Sequence, residues 1–382
     1  MSDDNNSSSA LLRLLGNTGS KPILDLDTPD LGLADHRPYP FMAIVGQVEM
    51  RTALILSVIN PDIGGVLLIG PRGTGKTTAV RSLTGVLPDV EVSDCEEGVL
   101  PIDLEHPDAK VLYPDCYERH HKGEAISHFE NVRLVELPLN ARLEDVVGGI
   151  NERVAVQRNA IRLERGILAR ADRNLLYVDE VNLLEDQIVD AILDAAAQGS
   201  YTVRRGAMAG TYRARFVLIG SMNPEEGRLR PQIMDRFGLR VNVGGLTDQQ
   251  ERLEVYKRNR AYRQNPTQFI RQWELETTQA LEDIFVAREL LKKTNVNDET
   301  LDAGLKLVQS LKIDSVRAEY TMFEAARAMA AADGRTEATL DDLHIVAPMA
   351  LRQRRSPFMA NFFEIQQEED RKIRDCIDEI TA

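Results

Sequence analysis

The run Gly70-Pro71-Arg72-Gly73-Thr74-Gly75-Lys76-Thr77, followed by Thr78, places glycines, a lysine and hydroxyls in one short stretch. Glycines reach the positive-φ conformations that curl a backbone until its N–H groups converge, and converging N–H groups bind anions. A helix opening at such a loop adds the positive end of its dipole. At this spacing Lys76 would reach the β- and γ-phosphates of a nucleotide, and the Thr77 hydroxyl would bind Mg²⁺. The motif requires a strand before it and a helix after it. Val66-Leu67-Leu68-Ile69 is a short apolar run, and Ala79, Val80, Leu83, Val86 and Leu87 recur on one helical face. The competing reading is a glycine-rich turn with an exposed lysine.

Further along, Leu175-Leu176-Tyr177-Val178-Asp179-Glu180 is an apolar strand ending in two carboxylates. Asp179 would belong to the Mg²⁺ shell, and Glu180 would orient and deprotonate an attacking water. Alone the pair is weak evidence, since acidic residues also cap helices; after a phosphate loop it is strong. The next strand, Phe216 to Ile219, runs into Gly220-Ser221-Met222-Asn223-Pro224, where Asn223 could position water. An ordinary Asn-Pro turn is the alternative. Arg236 stands in Ile233-Met234-Asp235-Arg236-Phe237-Gly238, and Arg317 opens a helix after Asp314-Ser315-Val316. Arginine keeps its charge and binds two phosphate oxygens through a planar fork. The plainer readings are a surface Arg236 paired with Asp235 and a helix-face charge at Arg317.

These residues need elements to hold them. Strand signals at Val66, Val132 to Leu137, Leu175 to Val178, Phe216 to Ile219 and Leu239 to Val243 alternate with helical patterns such as Leu183 to Ala197. The alternation predicts an α/β fold with a five-stranded parallel sheet and helices on both faces. After Gly245 strand signals stop. Thr247 with Gln250 reads as a capping box, and the helix it opens should end before Pro266. Helices follow over Leu281 to Lys292, Thr300 to Leu311 and Arg317 to Ala332, with one more capped by Thr339 and Asp342. The expected division is a disordered tail over 1–37, an ATP-binding domain over 38–245, linker helices over 246–279 and an all-helical lid over 280–382.

Together and in this order, the motifs resemble the AAA+ ATPases. That resemblance implies a water-positioning (sensor 1) role for Asn223, an arginine at Arg236 reaching the γ-phosphate of a neighbouring subunit, and a sensor 2 role for Arg317. Longer strings resemble the I subunits of magnesium chelatase: Phe41 to Gln47, Val178 to Leu184, Gly220-Ser221-Met222-Asn223-Pro224-Glu225-Glu226-Gly227, and Leu229 through Leu239. The resemblance covers about residues 38 to 355. It implies a ring, hexameric in the expected case, that hydrolyses ATP to drive Mg²⁺ into protoporphyrin IX with a D subunit and a porphyrin-binding H subunit. It also places Val45, Gly46 and Gln47 beside the adenine, an insertion over 137–168, and a hairpin over 201–215. Departures bear on partner choice. Met222 replaces a small residue, the hairpin carries Arg204, Arg205, Arg213 and Arg215, the stretch 94–130 is long, and 357–382 matches nothing.

Bulk properties narrow the field. The chain has 382 residues, 43% hydrophobic, with net charge −14. That acidity disfavours a nucleic-acid motor, and no apolar run suits a membrane span. The polar start lacks the features of a secretory signal, and the three cysteines suit a reducing cytoplasm. Cys95, His106, Cys116, His120 and His121 share the polar insertion without a close cysteine pair, so a solvated loop is expected there rather than zinc or a disulfide. Two other function classes stay open. One is a remodelling ATPase acting on a von Willebrand A-type partner. The other is a nucleotide-gated scaffold, which the intact Lys76, Asp179, Glu180 and Arg236 disfavour.

Overall fold

Five short strands, each carrying alternate side chains to opposite faces, build the centre of the protein. They are β1 (Val66–Ile69), β2 (Leu134–Leu137), β3 (Leu175–Val178), β4 (Val217–Met222) and β5 (Leu239–Asn242). In this computed structural model, which describes residues 38–95, 98–150, 163–205, 208–227, 229–354, 368 and 371–373, they form one parallel sheet in the order β5-β1-β4-β3-β2. The expected tail over 1–37 and most of 355–382 lie outside the described residues.

The alternation has a direct energetic consequence. Val66, Leu68, Leu175, Tyr177 and Ile219 face one apolar core, while Leu67, Ile69, Leu176, Val178 and Leu218 face a second. A sheet buried on both faces favours apolar residues at successive positions, which is why β1 and β3 read as unbroken apolar runs. The first core is roofed by α1 (Val48–Ile59) and α2 (Lys76–Leu83), and the second by α3 (Asp186–Gln198). The short helix α4 (Pro231–Arg236) enters β5.

The C-terminal helices α5 (Gln249–Gln264), α6 (Glu274–Leu291), α7 (Val316–Ala332) and α8 (Leu340–Leu351) share the first core rather than making one of their own. Both α6 and α7 pack on α1. The Asn60 side chain donates to Glu324 Oε2 at 2.7 Å, and Arg288 Nε donates to the Val58 carbonyl at 3.1 Å. The expected division between 279 and 280 therefore falls inside a continuous helix. The cap of α5 also differs from expectation by one residue. Asp248, not Thr247, accepts from the amides of Gln250 and Glu251 at 2.6 and 3.1 Å, a carboxylate being the stronger acceptor beside a helix N-terminus. Thr339 caps α8 with Asp342, as the spacing implied.

The stretch 94–130 is not a solvated loop. Val99, Leu104, Ala109, Cys116 and Ile126 make a third, small core, with Cys95 packed against it. A two-stranded ribbon (Val90–Ser93 with Ser127–Glu130) ties its ends, and Arg213 of the basic hairpin binds Asp103 and the Gly98 carbonyl. Arg215 pairs with Asp172, so two of the four hairpin arginines serve internal contacts.

Candidate nucleotide site

The phosphate loop lies between β1 and α2 at the carboxyl end of the sheet. Its entry is tight: the Gly70 amide donates to the Met222 carbonyl at 3.0 Å, and a Cβ on Gly70 would stand 2.0 Å from the Val243 carbonyl oxygen. Gly73 and Gly75 hold φ +79° and +88°, and a Cβ on either would meet nothing. Conformation, not space, demands glycine there. Lys76 Nζ donates to the Gly70 and Pro71 carbonyls at 2.7 and 2.8 Å. Burial pulls its ammonium below the ordinary lysine value, while the charges of Asp179, Glu180 and Glu226 oppose that shift.

A cavity of about 250 Å³ joins this loop to the carboxyl ends of β3 and β4; Arg72 to Thr78, Asp179, Glu180, Ser221, Met222 and Asn223 line it. Asp179 Oδ1 accepts from the Tyr177 hydroxyl at 2.8 Å and from Ser221 Oγ, and the Tyr177 hydroxyl lies 3.2 Å from Thr77 Oγ1. Burial raises the Tyr177 phenol above its ordinary range, so it stays protonated and can donate. One hydroxyl thus bridges Thr77 and Asp179, the two oxygen donors expected around Mg²⁺. This hard-oxygen set fits the ion. Neither Tyr177 nor Ser221 was singled out from the sequence. The available signal was period two: Tyr177 precedes Asp179 by two residues on one strand face.

Glu180 sits in the left-handed region, φ 49° and ψ 50°, with its amide donating to Ser221 Oγ at 3.1 Å. Such a conformation is uncommon for a non-glycine residue and concentrates at functional sites. Asn223 stands at the cavity and in a turn. It lines the cavity, and its Oδ1 accepts from the Glu225 amide at 3.3 Å to close the turn.

A second cavity, about 900 Å³, opens from the same loop, sharing Gly73, Thr74, Gly75 and Thr78 with the first. Ile44, Val45 and Gln47 form one wall and Tyr256 of α5 another. Gly46 and Gln47 adopt consecutive positive φ values of 60° and 50°, and Gln47 Nε2 donates to the Gly244 carbonyl at 2.7 Å. A Cβ on Gly46 would stand 2.7 Å from Leu246 Cδ2. The space is large enough for a nucleoside and continuous with the phosphate cradle.

Over 84% of its length the chain is 45% identical to the magnesium-chelatase subunit ChlI homolog of Methanocaldococcus jannaschii, covering 87% of that protein. The chain belongs to the magnesium-chelatase ChlI family. The 38 kDa magnesium-chelatase subunit of Acidiphilium rubrum is 42% identical over 83% of this chain and 90% of its own length. The family profile "Magnesium chelatase, subunit ChlI" matches residues 153–235, and the AAA lid domain profile matches 305–376. A crystal structure of a candidate ATPase from Cytophaga hutchinsonii shares the fold alone, with TM-score 0.53 at 18% identity over 82% of this chain and 83% of that one.

Two arginines of this ChlI-family chain stand apart from both cavities. Arg236, at the end of α4, binds Asp194 of α3 at 2.5 Å and lies 3.8 Å from Asp190; it does not pair with Asp235. Arg317 is exposed in the first turn of α7, and its charge acts on Arg354 beside Asp235. The structure therefore gathers the phosphate loop, Asp179, Glu180 and Asn223 around one cavity, and neither Arg236 nor Arg317 lines it.

Proposed function

We propose that this chain is the ATP-hydrolysing motor subunit of a magnesium chelatase, acting as a ring with MgATP at each subunit interface. One observation carries the reading: among the described residues the cavity lined by Lys76, Asp179 and Glu180 has Arg72 as its one arginine, and neither Arg236 nor Arg317 lines it. A neighbouring copy would complete the site with both.

In this reading Gly70 to Thr78 cradle the phosphates, and Lys76 exchanges its carbonyl partners for phosphate oxygens. Val45, Gly46 and Gln47 flank the base. Thr77 and Asp179 hold Mg²⁺, whose charge offsets that of the phosphates. Glu180 accepts the proton of the attacking water, Asn223 orients it, and Arg236 from the neighbour steadies charge on the transferred group. The porphyrin and the inserted Mg²⁺ are substrates handled with D and H subunits, a division that membership of the family supports. A cytoplasmic hexamer binding neither nucleic acid nor a membrane completes the proposal; among the described residues no helix is long and apolar enough to cross a membrane.

The deciding experiment is Mg²⁺ insertion into protoporphyrin IX, followed by porphyrin fluorescence, with D and H subunits and this chain present or withheld. The expected result is product only when all three and ATP are present. Equal insertion without this chain overturns the reading and leaves a remodelling ATPase acting on a von Willebrand A-type partner.

A further inference from the structure

One guanidinium nitrogen beside the phosphate loop serves two carboxylates at once. Arg72 Nη2 lies 3.0 Å from Glu180 Oε1 and 2.6 Å from Glu226 Oε1. The arginine side chain is 71% exposed, whereas those of Glu180 and Glu226 are 20% and 21% exposed. The mobile partner is therefore the arginine. The backbone of Glu180 is pinned by its left-handed conformation and its bond to Ser221, so the direction of its side chain is the freedom that remains.

Glu226 is held on one side only. Among the described residues its Oε2 is buried without a hydrogen-bond partner, and so are both amide atoms of Asn182, whose Nδ2 faces Gly227. Buried polar atoms without partners are costly, so a rearrangement that pairs these atoms is favoured. A phosphate offers a guanidinium two oxygens in fork geometry, which separately held carboxylates cannot match.

We propose that Arg72 is a positioning residue that holds Glu180 turned away from water until phosphate draws the guanidinium off, with Glu226 sharing the arginine and so limiting its grip. The proposal rests on Glu180 being the hydrolytic base. Arg72, read from its place in the loop as a nucleotide contact alone, thereby links phosphate occupancy to release of the base.

Steady-state ATP hydrolysis by the full chain, resolved into kcat and KM, tests this in Arg72→Ala, Glu226→Gln, the double variant, Arg72→Lys and Glu180→Gln. With Glu226 neutral, Arg72 pairs with Glu180 alone, and kcat should fall about three- to fivefold at nearly constant KM, the size set by an exposed ion pair. In the Arg72→Ala background the same Glu226→Gln change should leave kcat unaltered. Arg72→Ala itself should raise KM, and the KM of Arg72→Lys should fall between it and the parent. An equal loss from Glu226→Gln in both backgrounds overturns the proposal. Normal turnover in Glu180→Gln removes the base itself, and the proposal with it; inactive Glu180→Gln with no coupling between Arg72 and Glu226 removes the proposal alone.

Discussion

Asp235 accepts from Arg354 Nη1 at 2.7 Å, joining the segment that carries Arg236 to the residues that follow α8. The Arg354 side chain is wholly buried, and so is that of Arg240, whose Nη2 lies 3.5 Å from the same carboxylate. Ser315 Oγ, two residues before Arg317, also donates to Asp235, at 3.2 Å. One carboxylate thus ties together the elements bearing Arg236 and Arg317.

Removing Asp235 would strand two buried cations. Breaking a buried pair costs about 3 to 5 kcal/mol, and the partial exposure of Asp235 reduces this to roughly 2 kcal/mol. Asp235→Ala should therefore lower the unfolding temperature by several degrees and depress ATP turnover, whereas Asp235→Asn, which keeps an acceptor for Arg354, should cost less. Differential scanning calorimetry with a parallel ATPase assay reads both. A larger loss in Asp235→Asn than in Asp235→Ala would contradict the account.

Lys76→Ala should abolish tight MgATP binding, while Glu180→Gln should bind normally and fail to hydrolyse. The first variant loses the ammonium of the phosphate cradle and the second loses the proton acceptor. Equilibrium nucleotide titration and phosphate release separate the two effects.

Tyr177→Phe deletes the hydroxyl that bridges Thr77 and Asp179. Because the ring remains, packing should hold. The Mg²⁺ concentration giving half-maximal hydrolysis should rise about tenfold, the low end of the roughly 10- to 100-fold range for partners that orient metal ligands. Turnover at saturating Mg²⁺ should change little, and nucleotide affinity measured with EDTA should not change. A loss of turnover that Mg²⁺ cannot restore would place Tyr177 elsewhere in the chemistry.

Arg236→Ala should fold, bind nucleotide and assemble, yet hydrolyse slowly, since an arginine supplied by a neighbour is worth about 10³ to 10⁵ in rate. Mixed with Lys76→Ala, it should regain activity, because some interfaces then combine an intact phosphate loop with an intact arginine. Absence of recovery in demonstrably mixed rings would argue against action between subunits. Asp194→Asn, which frees Arg236 from its partner on α3, should leave nucleotide affinity unchanged.

The phosphate loop, the Asp179-Glu180 strand end and the sheet it implies were legible because each depends on neighbours within a few residues. Backbone conformation, apolar alternation and helix capping are short-range effects, and they write themselves as motifs. The one-residue error at Asp248 belongs to the same class, since Thr247 and Asp248 both accept from amides and only the geometry of the turn chooses between them. By contrast, the Tyr177 bridge to Thr77, the sharing of Arg72 between Glu180 and Glu226, and the meeting of Ser315 and Arg354 at Asp235 join residues far apart in the chain. The insertion around Cys116 was misread for that reason. Its apolar residues are sparse and aperiodic in sequence, and they become a core only when the ribbon at its ends brings Val99, Leu104 and Ile126 together. Sequence determined which groups could bind and cleave a nucleotide; packing over long separations decided what holds each one, because a side chain's partner is set by where the rest of the chain goes.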